Sequence, residues 1–371
     1  MLVFVAAFVL SAALTLIVVR LLRSRGWATK DHDLTGPQKV HVHPVARVGG
    51  IGVFATLGVL ALSFALLQPQ SALGRMLLLL LLCGAPAFVA GLLEDVTKRV
   101  SVAMRLLAAI LSAVLAVFVL GTAITRTDLL LLDWVASFSI GAALLAVVAV
   151  AGMANAVNII DGFNGLASMC VVMILLAVAY VAGEVGDALV LLLALAGAGA
   201  ILGFFIWNYP AGLIFLGDGG AYFLGFYAAE VALLLLARNT QVSPLFPLLA
   251  SIYPVFETLF SMYRRKVVRG RAVGMPDGVH LHSLVYRRLL RWAVGRTDAA
   301  ALTKRNAMTA PYLWLLSMLA VVPSVLFWDD SRILGAFIVL FAAVYVSLYA
   351  LIIRFKAPRW LQLRPGSPPR R

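Results

Sequence analysis

The sequence predicts an all-α integral membrane protein, a polytopic bundle of about 10–11 transmembrane helices with its N-terminus outside and its C-terminus cytoplasmic. Three observations carry this. Of 371 residues, 63% are hydrophobic and 12% charged, half the charge of an ordinary soluble domain. Mean hydropathy is +1.01. Apolar runs of about 20 residues, the length that crosses a bilayer as a helix, recur along the whole chain.

Eleven spans are expected, at 1–22, 48–68, 75–93, 106–124, 134–154, 166–183, 188–207, 221–237, 244–262, 309–328 and 332–353. The first lacks a basic start and a small-residue cleavage site, so it reads as a span, not as a cleaved signal peptide. Orientation follows from Lys and Arg. The loops at 20–47, 94–105, 155–165, 208–220 and 263–308, with the tail from 354, hold 26 of the 30 basic residues. Arg75, Arg126, Arg238 and Arg332 are the rest, in the opposite loops. The first set is therefore assigned to the cytoplasm. The whole of 1–371 reads as one transmembrane domain, with 263–308 as a large cytoplasmic loop and 354–371 as a basic tail.

Composition also excludes some functions. Cys83 and Cys170 both fall in apolar spans, so no disulfide framework is implied. The net charge of +14 reports orientation and contact with anionic membrane lipids. Basic residues scattered over short loops point to no nucleic acid. No internal repeat supports an inverted-repeat transporter.

The motif-bearing loops share one side. Glu94-Asp95 ends the third span, where paired carboxylates suit a base and a phosphate or metal contact. A helix end balanced by Lys98 and Arg99 is the plainer reading. Asn155, Asn158 and Asp161 recur every third residue, one face of a helix, before Gly162-Phe163-Asn164-Gly165 breaks it. These are hard oxygen ligands and amide donors without a neutralising cation, suited to Mg²⁺ or to a base or sugar edge. The alternative is a polar cap. In Phe215-Leu216-Gly217-Asp218-Gly219-Gly220 the glycines allow close backbone approach to a phosphate, and Asp218 can reach a metal. A simple turn is the alternative.

The 263–308 loop carries His280 and His282 among many arginines, a set that suits a diphosphate. For most of these arginines, positive-inside bias and lipid contact are the reading preferred. Leu284, Leu289 and Leu290 suggest an interfacial amphipathic helix. In the first loop, Lys39, His41 and Arg47 can extend an anion site, and Gly49-Gly50 permit tight packing where the next span starts.

Together these residues give the chain a resemblance to the polyprenyl-phosphate N-acetylhexosamine-1-phosphate transferases. The peptidoglycan phospho-MurNAc-pentapeptide translocase is a more distant relative. The resemblance implies that a UDP-N-acetylhexosamine and undecaprenyl phosphate yield undecaprenyl-diphospho-sugar and UMP. It implies Mg²⁺, with Mn²⁺ as the substitute, and an active site on the cytoplasmic face of a bacterial inner membrane. By resemblance, Glu94 and Asp95 stand at the family's aspartate pair. Asp161 with Asn155, Asn158 and Asn164 stands at the nucleotide-sugar motif. Asp218 is the metal ligand, Phe215 the aromatic for uracil, Lys39 the basic residue of the first loop, and His280 and His282 the histidine motif. Three positions depart from the pattern: Glu94 for an aspartate, Asn164 for an aspartate, and Ser283 for a histidine. Direct attack by the lipid phosphate, with Asp95 or Glu94 as base, and a covalent aspartyl intermediate both stay open. So do the hexosamine, a homodimer and the pathway, of which O-antigen synthesis is one. Rival readings are a transporter working through mid-span Glu230 or Glu257, and an inactive lipid-binding relative.

Overall fold

The computed structural model describes residues 1–24, 45–268, 279–290 and 299–354. Lys39 and His41 lie outside the described residues, as do 269–278, 291–298 and all but the first residue of the tail. The described residues hold helices and no strand: α1 Leu2–Ser24, α2 Gly50–Leu67, α3 Ala72–Thr97, α4 Val102–Leu120, α5 Leu130–Ala136, α6 Ser139–Ile160 and α7 Leu166–Glu184. There follow α8 Ala188–Asn208, α9 Gly217–Arg238, α10 Leu245–Ala250, α11 Ile252–Tyr263, α12 Leu281–Leu284, α13 Ala299–Leu326 and α14 Ser331–Ile353. Ten of these are long and apolar enough to cross a membrane.

The expected span at 244–262 is a broken pair, α10 and α11. Pro254 has no N–H for the carbonyl of Ala250, and its ring crowds that carbonyl. The helix accordingly ends at Ala250 and restarts at Ile252. The pair still runs from one end of the bundle to the other. Ser243, just before it, donates its amide to Trp328 O at 3.0 Å, in the turn joining α13 to α14. Glu257, in α11, holds His280 at the opposite end. Pro86 leaves α3 unbroken, and Ser112 Oγ of α4 takes the neighbouring Ala87 amide at 3.0 Å.

Helix α9 is the axis. Of its most apolar stretch 83% is buried, against 22% for α1 and for α14. It packs on α3, α6 and α2 through glycines, where missing side chains let backbones meet. A Cβ on Gly91 would lie 2.5 Å from the Gly219 nitrogen, and one on Gly220 2.8 Å from Gly50 Cα. Gly219 and Gly220 thus permit close approach between helices. Gly217, at φ +79°, is the position that needs glycine for its backbone as well. Helix α1 runs parallel to α8, since Trp207 Nε1 donates to Ala12 O at 2.9 Å and Phe4 lies against Gly199. Residue 1 therefore lies at the opposite end of the bundle from Asn208.

Several expected boundaries move. The span expected at 221–237 begins at Gly217, so Asp218 sits in the first helical turn. That expected at 134–154 is Ser139–Ile160, preceded by the short α5, so Asn155 and Asn158 are helical. The helix runs on because nothing breaks it before Asp161-Gly162. The leucines expected to lie on the lipid surface are inside the protein: Leu284, Leu289 and Leu290 are buried. Phe163 and the ends of α13 and α14 already offer them an apolar seat, with ring centroids of Phe163 and Tyr286 5.3 Å apart. Arg264 and Arg288 likewise bond protein carbonyls, those of Val279 and Ile352, where lipid contact was expected.

Gly91→Ala is expected to destabilise the fold by about 1–3 kcal/mol, because two backbones would have to part. Gly58→Ala, with open space around it, is expected to be neutral or slightly stabilising. Thermal unfolding of both variants in detergent checks the pair.

Candidate active site

Helix α9 begins without a cap of its own: Leu216 offers its first amides no side-chain acceptor. The acceptor comes from α3. Asp95 Oδ1 and Oδ2 accept the amides of Asp218 and Gly219, each at 3.0 Å. Gly91 and Asp95 are four residues apart and share one helical face. The glycine lets α3 approach α9, and the carboxylate one turn on closes over its N-terminus, where the helix dipole favours negative charge.

Asp218 then stands in the first turn of α9 with its carboxylate 23% exposed. It accepts from Asn158 Nδ2 at 3.1 Å and pairs with Arg105 of α4. One turn along, Tyr222 donates to Asn155 Oδ1 at 3.3 Å. Spacing of three on α6 thus meets spacing of four on α9, as helix faces require. Asp161 follows the last turn of α6 and is half-buried. Burial raises its carboxyl to about 7, with the nearby Arg47 charge opposing the rise. Arg47 lies within electrostatic reach of Asp95 as well, and the backbone beside it meets the segment before α9, Phe215 N donating to Ala46 O at 2.9 Å. Phe215 itself is half-buried.

The histidine segment closes the same end. His280 and His282 stack at 5.1 Å with planes 9° apart. The His282 ring meets Phe163 edge-on at 5.5 Å, two residues beyond Asp161. Both histidines are buried.

Two expected residues face elsewhere. Glu94 Oε2 accepts the Val100 amide at 2.8 Å and so holds the turn between α3 and α4. Asn164 is 2% exposed. Its Nδ2 donates to Pro210 O at 3.1 Å, and its amide donates to Asn306 Oδ1 at 2.9 Å, so it braces the floor beneath the site. Arg105, Tyr222 and Asn208 were not among the residues singled out for a site, and Glu257 was named only for the transporter reading. Arg105 had a signal, as the basic residue that opens α4 just after the Glu94-Asp95 pair, but it reads equally as positive-inside charge. Asn208, which takes the Gly165 amide at 2.6 Å, had none.

Among the described residues, no three His, Cys, Asp or Glu side chains gather closely enough to cage a metal unaided. A partly exposed Asp218 beside an amide side chain fits a different arrangement. Mg²⁺ commonly takes one or two carboxylates and completes its shell with water and substrate phosphates.

With this geometry in place, the chain can be set beside known proteins. Residues 77–236 match the family model for glycosyl transferase family 4. That segment is less than half of the chain. It contains Asp95, Asn155, Asn158, Asp161, Phe215 and Asp218, and stops short of both histidines. Similar proteins include a probable undecaprenyl-phosphate N-acetylglucosaminyl 1-phosphate transferase of Bacillus subtilis, 27% identical over 174 residues, 47% of this chain and 44% of the relative. The undecaprenyl-phosphate alpha-N-acetylglucosaminyl 1-phosphate transferase of Thermotoga maritima is 31% identical over 93 residues, 25% of this chain and 30% of the relative. A phospho-N-acetylmuramoyl-pentapeptide-transferase of Streptococcus pneumoniae is 33% identical over 108 residues, 28% and 30% of the two chains. Each match thus spans less than half of the relative's length.

Asp161 gives a test that needs no substrate. The fold binds its proton more tightly than the unfolded chain does, so stability declines as pH rises from the ordinary carboxyl range to about 7 and is level above that. Without divalent cation, Asp161→Asn is expected to be more stable than the parent at pH 8 and equally stable near pH 4. Thermal unfolding across that range checks it.

Proposed function

We propose that this protein transfers N-acetylhexosamine-1-phosphate from a UDP-sugar to undecaprenyl phosphate, giving undecaprenyl-diphospho-sugar and UMP. This would be the first membrane step of a cell-surface polysaccharide such as O-antigen. The observation that carries the reading is the convergence of Asp95, Asn158, Asp161, Asp218 and Arg105 at one end of the bundle, beside two stacked histidines. The similar proteins bear names for this chemistry, and the residues fit it.

A lipid phosphate oxygen forms a bond to the β-phosphorus, and the P–O bond to the α-phosphate breaks, its electron pair leaving with UMP. A phosphate monoester is largely dianionic at neutral pH, its second pKa being about 6, so the attack needs little help from a base. The hydrogen bonds of Asp95 and Glu94 favour that view, since backbone amides occupy Asp95 on both oxygens and Glu94 on one. Asp95 instead fixes the start of α9 and with it the direction of Asp218. Mg²⁺, with Mn²⁺ as substitute, would be held by Asp218 and the substrate's phosphates, and would neutralise charge there. Arg105 and the histidine segment supply further cations and donors for the diphosphate. Asn155, Asn158 and Phe215 are the groups proposed to face the nucleotide. The excess of basic residues at this end of the chain favours a cytoplasmic site in an inner membrane.

The transporter reading is left with Glu230, since the Glu257 carboxylate is committed to His280, Leu281 and Tyr345.

Membranes containing the protein, undecaprenyl phosphate and a panel of UDP-N-acetylhexosamines are expected to release UMP in a Mg²⁺-dependent reaction. Asp218→Asn is expected to lower the rate about 100-fold or more while the protein stays folded. UMP release from no sugar nucleotide would sink the proposal. A phosphorylated protein trapped from UDP-sugar alone would replace direct attack by a covalent intermediate.

A further inference from the structure

A carboxylate buried in a helix that crosses the bundle is unfavourable unless polar partners surround it. Glu257 of α11 is 1% exposed, and its partners all belong to one small region. Tyr345 of α14 donates its hydroxyl to Oε2 at 2.7 Å. The Leu281 amide lies 3.2 Å from Oε1 and 3.3 Å from Oε2. His280 Nδ1 lies 2.9 Å from Oε1.

Two consequences follow. Helix α12 starts at Leu281, and the His280 side chain gives it no cap; Glu257 supplies the acceptor from another helix, as Asp95 does for α9. A carboxylate can only accept, so Nδ1 of His280 must carry hydrogen. That leaves Nε2 as the nitrogen on the Arg265 side, 3.4 Å from Nη2. The orientation propagates, because the His280 ring lies parallel on His282, which abuts Phe163 next to the Asp161 turn. Break-up of the Glu257 contacts would free both the imidazole rotation and the tautomer.

We infer that Glu257 is a positioning residue for the transfer reaction: it fixes His280 with Nδ1–H on the carboxylate and Nε2 on the Arg265 side. The inference rests on the proposed transferase reading for what His280 does, and on the structure for how His280 is held. Glu257 touches no substrate. It acts through the imidazole, as second-layer carboxylates commonly do for functional histidines.

The test uses the full chain in detergent or lipid nanodiscs, with E257Q, H280A and the double variant. The amide of E257Q preserves size and can still accept one hydrogen bond. The chain has five histidines, so the imidazole ¹⁵N resonances of His280 are assignable by their loss in H280A. The parent is expected to show Nδ1–H at His280, and E257Q a mixture of tautomers. In UMP release, kcat of E257Q is expected to fall about 10- to 100-fold with KM for the UDP-sugar changed less than about threefold. H280A is expected to fall at least as far, and the double variant no further than H280A. Losses that multiply in the double variant, or an unchanged tautomer in E257Q, would overturn the inference, since both mean that Glu257 acts otherwise than through His280. Full kcat in H280A with a Glu257-dependent tautomer would instead overturn the catalytic reading of the histidine and leave the coupling standing. If E257Q does not fold, E257D, which withdraws the carboxylate by one methylene, is expected to give the same tautomer shift and the same loss.

Discussion

Everything at the candidate site of this bundle depends on one problem, the unsatisfied amides at the start of a buried helix. Helix α9 is the most buried of the spans among the described residues, and its first turn has no capping side chain of its own. Asp95 answers from a neighbouring helix, with one carboxylate oxygen on each of two amides. That contact fixes the relative height of α3 and α9. It also directs Asp218 toward α4 and α6, where Arg105 and Asn158 meet it. The same device recurs at α12, where Glu257 takes the first amide and the preceding histidine together.

Glycine is what makes the first of these contacts geometrically available. Side chains normally hold helices 8–10 Å apart. Gly50, Gly91, Gly219 and Gly220 remove them along the seams between α2, α3 and α9. In lipid, where burial of apolar surface drives helices together weakly, such close backbone contact is a main source of association. Packing and electrostatics are therefore one design here. The glycines set the approach, the approach brings the carboxylate within reach of the amides, and the capped terminus carries the exposed aspartate. Proline has the complementary role: Pro254 interrupts the α10–α11 crossing, and Glu257 emerges in the restarted helix one turn after that break.

The sequence was legible where residue chemistry is costly in an apolar chain. Asp95, Asp161 and Asp218 drew attention because carboxylates beside lipid need a reason, and the structure brings them to one end. Reading was poorer where a residue's partner lies far along the chain. Glu94 and Asp95 look equivalent as neighbours, yet 100° of helical rotation sends one to the Val100 amide and the other to α9. Asn164 looks like a ligand beside Asp161 but is turned inward to Pro210 and Asn306. Glu257 read as a mid-span charge suited to transport, because its partners come from segments 23 to 88 residues away. Arg105 was hidden among basic residues whose charge is already explained by orientation.

Hydropathy, the grouping of basic residues and the period of the polar positions determined by themselves that this is a helical bundle whose motif-bearing loops share one side. Those properties are local, set by the transfer free energy of each segment and by which residues share a helix face. Only the tertiary structure decided which carboxylate caps, which one faces outward and which histidine nitrogen is held. Those assignments depend on distances between helices, and interhelical distance here is fixed by backbone contact at glycines, a property no single segment carries.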